Sequence, residues 1–169
     1  TRVCTSITII CVSWFLWLQT FFTGKCIFST AWKGANPLAN RESINEEWVM
    51  SRRNVNHGLS PLQSILESIG NPQNTYRCIH IAGTNGKGST CNYLKDILVS
   101  QGYKVGMFTS PHLMTHRDRI RINDSYISED AFHAYLMKYY DVIEEKQLGM
   151  FEIDTLIAFQ WFFDEKVDY

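Results

Sequence analysis

The sequence predicts an α/β domain built on a parallel sheet, and three observations carry that expectation. Short apolar runs at Arg77–Ala82 and Lys104–Thr109 are separated by a longer helical pattern, the spacing of βαβ units. The first run, through Ile79-His80-Ile81-Ala82, passes directly into a glycine-rich turn and then into a helix. Val167-Asp168-Tyr169 reads as the beginning of a third strand.

Taken in order, Ser43 to Asn54 is a charged helical lead-in containing Glu46, Glu47, Trp48 and Val49. Ser60-Pro61 reads as an N-cap followed by proline at the first helical position. Leu62, Ile65, Leu66 and Ile69 then keep helical spacing until Gly70-Asn71-Pro72 stops the helix. Ser89 to Gln101 is a second helix with Leu94, Ile97 and Leu98 facing inward, ended by Gly102. After the strand at Lys104–Thr109, Ser110-Pro111-His112 opens a loop, Arg119–Asn123 is extended, and Asn123-Asp124 is a turn. Ser128 caps a helix reaching about Lys146, with Glu129 and Asp130 well placed against its dipole. Phe151 to Asp164 is a further helix, rich in Phe and Ile and carrying Trp161.

The turn Gly83-Thr84-Asn85-Gly86-Lys87-Gly88 with Ser89-Thr90 behind it is a phosphate cradle in chemical terms. Glycines let backbone N–H groups converge on an anion, a helix N-terminus adds partial positive charge, and Lys87 adds a full one. The common pattern G-x-x-x-x-G-K-[ST] would need Gly in place of Ile81 and Ser or Thr in place of Gly88, so this loop is a variant of that phosphate-binding loop. A turn that merely reverses the chain is the plainer alternative. The order strand, loop, lysine, hydroxyls, helix argues against it.

Length and composition set the bounds. At 169 residues the chain can bury a real core. A formal net charge of −1 excludes bulk nucleic-acid binding as an expectation. The five cysteines (Cys4, Cys11, Cys26, Cys78 and Cys91) are scattered without metal spacing, which fits reduced thiols in the cytoplasm. Cys78 and Cys91 flank the loop and read as small apolar residues.

The first 42 residues do not match the rest. Val3 to Gly24 carries no charge and is long enough to span a hydrocarbon core of about 30 Å, yet Trp14 and Trp17 sit in its middle rather than at its ends. Three readings compete: a membrane anchor or uncleaved signal, a genuine extension, and translated sequence upstream of a true start. The last best explains the abrupt change of pattern, and on it no membrane association is expected. Residues 43–169 are then the structured domain.

Several separate stretches now agree. Gly83-Thr84-Asn85-Gly86-Lys87-Gly88-Ser89-Thr90, Phe108-Thr109-Ser110-Pro111-His112-Leu113, Arg117-Asp118-Arg119-Ile120-Arg121-Ile122-Asn123, and Phe151-Glu152 heading a helix resemble the bifunctional folylpolyglutamate synthase/dihydrofolate synthase family. Gly58-Leu59 and Gly70-Asn71-Pro72-Gln73-Asn74 resemble that family's lead-in. The glycine-rich loop alone points only to the wider Mur-ligase-like group.

The resemblance implies a Mur-ligase-type, P-loop-type ATPase domain within an ATP-dependent amide ligase. ATP would phosphorylate the carboxylate of a folate or of dihydropteroate, and L-glutamate would displace phosphate. By resemblance, Gly83 to Thr90 hold ATP, with Lys87 as the catalytic cation. Ser110 is a Mg²⁺ ligand, a role a neutral hydroxyl suits because that ion keeps waters and phosphate oxygens. His112 orients the loop beside Ser110. Met150, Phe151 and Glu152 form a pterin site, although Gly149 stands where the family often has Thr. A monomer is expected. The family pattern continues into a glutamate-binding domain, so 43–169 corresponds to an incomplete N-terminal ATP-binding domain. The alternatives are a cell-wall Mur ligase and an inactive nucleotide-binding fragment tethered through Val3–Gly24.

Plainer readings cover the remaining residues. His112 and His116 are four apart, but the loop context argues against zinc. Arg117, Arg119 and Arg121 alternate and are expected to share one strand face, either solvated or near phosphates or the anionic folate tail. His80 is expected in the core, Asp154 toward solvent with no role, and Phe159, Trp161, Phe162 and Phe163 in the core.

Overall fold

The computed structural model describes Ile10–Cys11 and residues 44–169. The expectations for Val3–Gly24 therefore lie outside the described residues, apart from the backbone of Ile10–Cys11. That dipeptide is β1 (Ile10–Cys11), followed by α1 (Glu46–Ser51), α2 (Ser60–Ser68), β2 (His80–Ile81) and α3 (Lys87–Ser100). β3 (Gly106–Thr109), β4 (Ile120–Ile122), β5 (Ser125–Tyr126), α4 (Glu129–Lys146) and α5 (Met150–Asp164) complete the order. Among the described residues no helix is long and apolar enough to cross a membrane.

The five strands form one sheet in the order β2-β1-β3-β4-β5. β1 pairs parallel with both β2 and β3, whereas β3–β4 and β4–β5 are antiparallel. The sheet is thus mixed, which corrects the expectation of a wholly parallel one. The cause is local: Asn123 takes a left-handed φ of 51°, the Asn123-Asp124 turn folds β5 back on β4, and only a loop with a short 3-10 turn, no α-helix, separates β3 from β4. Val167–Tyr169, expected to begin a third strand, is assigned to none; its backbone bonds the chain before β2 and at the start of β3. Arg77 N donates to Asp168 O at 3.2 Å, Asp168 N to Lys104 O at 2.8 Å, and Gly106 N to Tyr169 O at 2.8 Å.

Helices cover both faces of β3. Val105 and Met107 are fully buried with Cys91, against Leu94 and Leu98 of α3. Phe108 belongs instead to the larger core, with Ile120 and Ile122 of β4 and the apolar residues of α4 and α5. A Cβ at Gly106 would lie 2.8 Å from the Phe162 ring, so glycine here lets α5 rest directly on the strand. α5 is buried nearly all round, as a helix apolar on every side must be.

Several local expectations shift. Ser60 is the first residue of α2 and makes no capping bond; Leu59 holds the cap position. The lead-in helix is only Glu46–Ser51, capped by Asn45, whose side chain accepts from Trp48 N at 3.1 Å. Ser128 caps α4 as expected, accepting from Ala131 N at 3.1 Å. His80 is exposed rather than packed, because β2 is an edge strand and turns that side chain outward. Ile97 is 60% exposed: the inward face of α3 is set by Cys91 and Lys95, one turn apart, and Ile97 falls off it.

Cys78 is half-buried, and burial pushes its thiol up to about 12. The thiolate is the reactive form, so at pH 8 its alkylation should run on the order of a thousandfold slower in the folded protein than in urea. Time-resolved peptide mass spectrometry with iodoacetamide measures this; equal rates in both states would contradict the burial of Cys78.

Candidate functional site

β2 delivers the chain to Gly83, and the loop closes at Gly86 with φ of 75°; φ at Gly83 is 149°. Both values suit glycine because a Cβ resists positive φ. Lys87 opens α3 and folds back over the loop, its Nζ donating to Gly83 O at 2.7 Å and to Thr84 O at 3.1 Å. Thr90 Oγ1 donates to Gly86 O at 2.9 Å, and Asn92 Nδ2 donates to Gly88 O at 2.9 Å. The first N–H groups of α3 lack intrahelical partners and face outward with the positive end of the helix dipole.

A cleft of about 300 Å³ opens over this helix start. Thr84 to Gly88 form one wall and Thr109 to Pro111 another. Arg121 and Tyr126 of the β4–β5 hairpin face them, while Leu113 and Asp118 close the end. The fold therefore brings together two separated sequence elements, the glycine-rich loop and Ser110. Gly83, Ser89, Thr90 and His112 are not in its walls, and neither are Met150, Phe151 and Glu152.

Those three residues make the first turn of α5. Phe151 packs against Phe108, ring centroids 5.6 Å apart, so the turn sits across β3 from the cleft. Met150 N donates to Arg52 O at 3.2 Å. Glu152 is buried, and its Oε2 accepts from Gly149 N at 2.7 Å. Burial raises its pKa above the usual carboxylate range, while the Gly149 N–H and nearby His57 pull the other way. Gly149 also has a steric reason to be glycine: a Cβ there would overlap the Val55 carbonyl oxygen and crowd Glu152 Oε2.

The loop from Ser110 to Arg119 is held from inside. Asp118 Oδ2 accepts from Leu113 N at 2.9 Å, Met114 N at 2.7 Å and Thr115 N at 3.3 Å. The flanking residues His116 and Arg119 both reach Asp154 of α5. His116 Nε2 lies 2.8 Å from Asp154 Oδ1, and Arg119 Nη1 lies 3.2 Å from Asp154 Oδ2. Asp154 is 0% exposed. The expectation that it faces solvent is corrected: its two cationic or polar partners allow its burial. His112 packs beside this group, 5.9 Å from His116 between ring centroids, with Nδ1 buried and without a hydrogen-bond partner.

The three arginines do not share a face. Arg117 and Arg119 lie in a short 3-10 turn rather than a strand, which separates their directions. Arg117 pairs with Glu46, Arg119 with Asp154, and only Arg121 reaches the cleft.

The fold on which this site sits is the α/β fold of Mur-ligase type. No protein-family model matches the chain. Its curated relatives and structural neighbours are folylpolyglutamate and dihydrofolate synthases, and it matches one part of them. It is 41% identical over 109 residues to a dihydrofolate synthetase of Saccharomyces cerevisiae, covering 63% of this chain and 26% of that protein. It is 36% identical over 131 residues to a dihydrofolate synthase/folylpolyglutamate synthase of Bacillus subtilis, covering 72% of this chain and 30% of that protein. A folylpolyglutamate synthase of Mycobacterium tuberculosis, solved in complex with ADP, superposes with a TM-score of 0.67 at 29% identity, covering 73% of this chain and 29% of that one. The chain thus spans under a third of the length of each.

Two stability measurements test the geometry. Asp154→Ala removes the shared partner of two buried groups and should cost about 3–5 kcal/mol in urea unfolding, since a broken buried pair leaves uncompensated charge. A midpoint matching wild type would refute the pairing. Gly149→Ala, an otherwise favourable change, should cost about 1–3 kcal/mol through overpacking, and Gly149→Thr more. A melting temperature that rises in either variant would show that the Val55 carbonyl is not where it is described.

Proposed function

We propose that this chain supplies the nucleotide-binding part of an ATP-dependent ligase. The ligase joins L-glutamate to the carboxylate of a folate or of dihydropteroate by way of an acyl phosphate. The observation that carries the proposal is one cleft walled by Thr84–Gly88, at the start of α3, and by Ser110 and Arg121. The folate-ligating names of the relatives, and ADP in one of them, support the substrate class.

On this reading the α3 N-terminus and the loop's backbone N–H groups receive the phosphates of a P-loop-type site. Lys87 exchanges its bonds to the Gly83 and Thr84 carbonyls for phosphate oxygens and offsets charge as the terminal phosphoryl leaves. Gly83, Ser89 and Thr90 shape and continue the loop rather than wall the cleft. Mg²⁺ suits the donor set at hand, since Ser110 offers a neutral hard oxygen beside the phosphate site. When bound, the ion neutralises phosphate charge. Ser110 would hold it, and His112 would keep the Ser110 loop in register.

Met150, Phe151 and Glu152 are proposed as pterin contacts. Phe151 offers a flat apolar surface for a ring, and Glu152 offers acceptor oxygens to ring N–H groups. Glu152 already bonds Gly149 N, so only its remaining lone pairs are available to a ligand. Glutamate positioning falls to parts of the enzyme beyond residues 43–169. A cytoplasmic location belongs to the same proposal, and the scattered cysteines without metal spacing support it.

Lys87→Ala in the complete gene product should lower steady-state ATP turnover on the order of 100-fold, the scale of losing one preorganised charge donor. Its melting temperature should barely move, because Lys87 bonds only loop carbonyls. ATP turnover within twofold of wild type would remove Lys87 from the phosphate site.

A further inference from the structure

Arg121 stands apart from its two neighbours in sequence. Ile120 and Ile122 pack into the larger core, so the alternation of β4 puts Arg121 on the opposite face, the one covered by α3. There it pairs in register with Met107, whose Sδ is 3.9 Å from Nη2. Nη2 also donates to Asn92 Oδ1 at 2.8 Å. The amide of Asn92 is used at both ends, since its Nδ2 donates to the Gly88 carbonyl at 2.9 Å. One asparagine therefore ties the guanidinium to the glycine-rich loop.

The rest of the guanidinium is not spent. Its Nε is buried with no hydrogen-bond partner. Among the described residues no carboxylate lies within ion-pair distance of Arg121, whereas Arg117 has two and Arg119 has one. Asp118 lines the same cleft, but its Oδ2 already takes three backbone N–H groups. The Tyr126 ring lies 5.9 Å from the guanidinium and covers another side. Nε is enclosed, as is that of Arg119, but the Arg121 side chain as a whole is only half-buried and lines the cleft, so it is the Nη end of the guanidinium that can meet a ligand there.

We propose that Arg121, braced by Asn92, is an oxyanion-binding residue of the cleft. It is the second cation there beside Lys87. The group it takes is a phosphate or carboxylate presenting two oxygens to the planar fork. This rests on the ligase reading above and deepens it. Phosphorylating a carboxylate brings two anions into contact, and one lysine cannot offset both.

The two sources of the oxyanion separate by experiment. Binding of ATP and ADP is measured by titration calorimetry on the complete gene product, and the Michaelis constant of the acid substrate is measured alongside. If the oxyanion is the terminal phosphate, Arg121→Ala weakens ATP on the order of 10- to 100-fold with ADP little changed, the scale of one charge-assisted bond. If it is the substrate carboxylate, both nucleotides bind as in wild type and the acid's Michaelis constant rises by that factor. Arg121→Lys, keeping the charge without the fork, should recover part of either loss. Asn92→Ala should cause a smaller loss of the same kind, and none when added to Arg121→Ala. Should Arg121→Ala fail to fold, Arg121→Lys and Asn92→Ala are read in the same way. Wild-type values in the folded variants overturn the assignment of Arg121. A wild-type protein that binds neither ATP nor ADP overturns the ligase reading instead.

Discussion

The two-sidedness of β3 is the constraint on which the rest of this structure depends. Alternate residues of one short strand must bury against different helices. Val105 and Met107 meet α3, while Phe108 meets the α5 side. Gly106 makes this possible by letting the Phe162 ring lie on the backbone itself. A slip of one residue would exchange these sets and place Gly106 under α3, leaving a hole where Met107 now packs. The same register carries Thr109 and Ser110 to the C-terminal end of the strand, beside the helix start that α3 presents. Ligand sites of α/β sheets gather at such strand ends. The core thus positions the site directly.

The second determinant is electrostatic and lies inside the protein. Asp154 sits in a helix buried mostly by apolar contact, and it is matched to His116 and Arg119. Moving such groups out of water is expensive, so the ion pair does not by itself argue for stability. Its consequence is geometric. It fixes both ends of a short 3-10 turn against α5, while Asp118 between them gathers the N–H groups of Leu113 to Thr115. One end of the cleft is therefore made of loop backbone that is anchored to a core helix, not of freely moving chain.

The legible part of the sequence was that governed by local rules. Glycines before Lys87, Ser128 ahead of two acids and Asn123-Asp124 each specify a turn or cap through chemistry within a few residues. The helices α3, α4 and α5 follow from such signals to within a few positions. What escaped depends on pairing across distance. The antiparallel return of β4 needs the register Met107 to Arg121, which no local spacing encodes. The direction of Arg119 needs the 3-10 turn, which replaces an apparent strand alternation. For Asp154 a signal was present: an acid with Ile153, Leu156 and Ile157 beside it, in a segment apolar on every side, has no wet face to occupy. Such a residue must find a buried partner. Asn92 and the cleft role of Arg121 had no comparable signal, because each acquires its meaning only from the other.

Lys87 shows why the free geometry of such a loop differs from its working one. Its ammonium is satisfied by the Gly83 and Thr84 carbonyls, so the loop is closed upon its own lysine. An incoming phosphate must compete with those two acceptors, and the exchange returns only the difference between charged and neutral partners. Arg121 is differently placed. Nη2 donates to the neutral Asn92 amide and no carboxylate pairs with the guanidinium among the described residues, so an oxyanion meeting its Nη end displaces no ion pair. Of the two cations, the lysine is locally satisfied and the arginine is held rigid with a donor unspent. Preorganisation of this kind favours the site whose dipoles are aimed before the charge arrives.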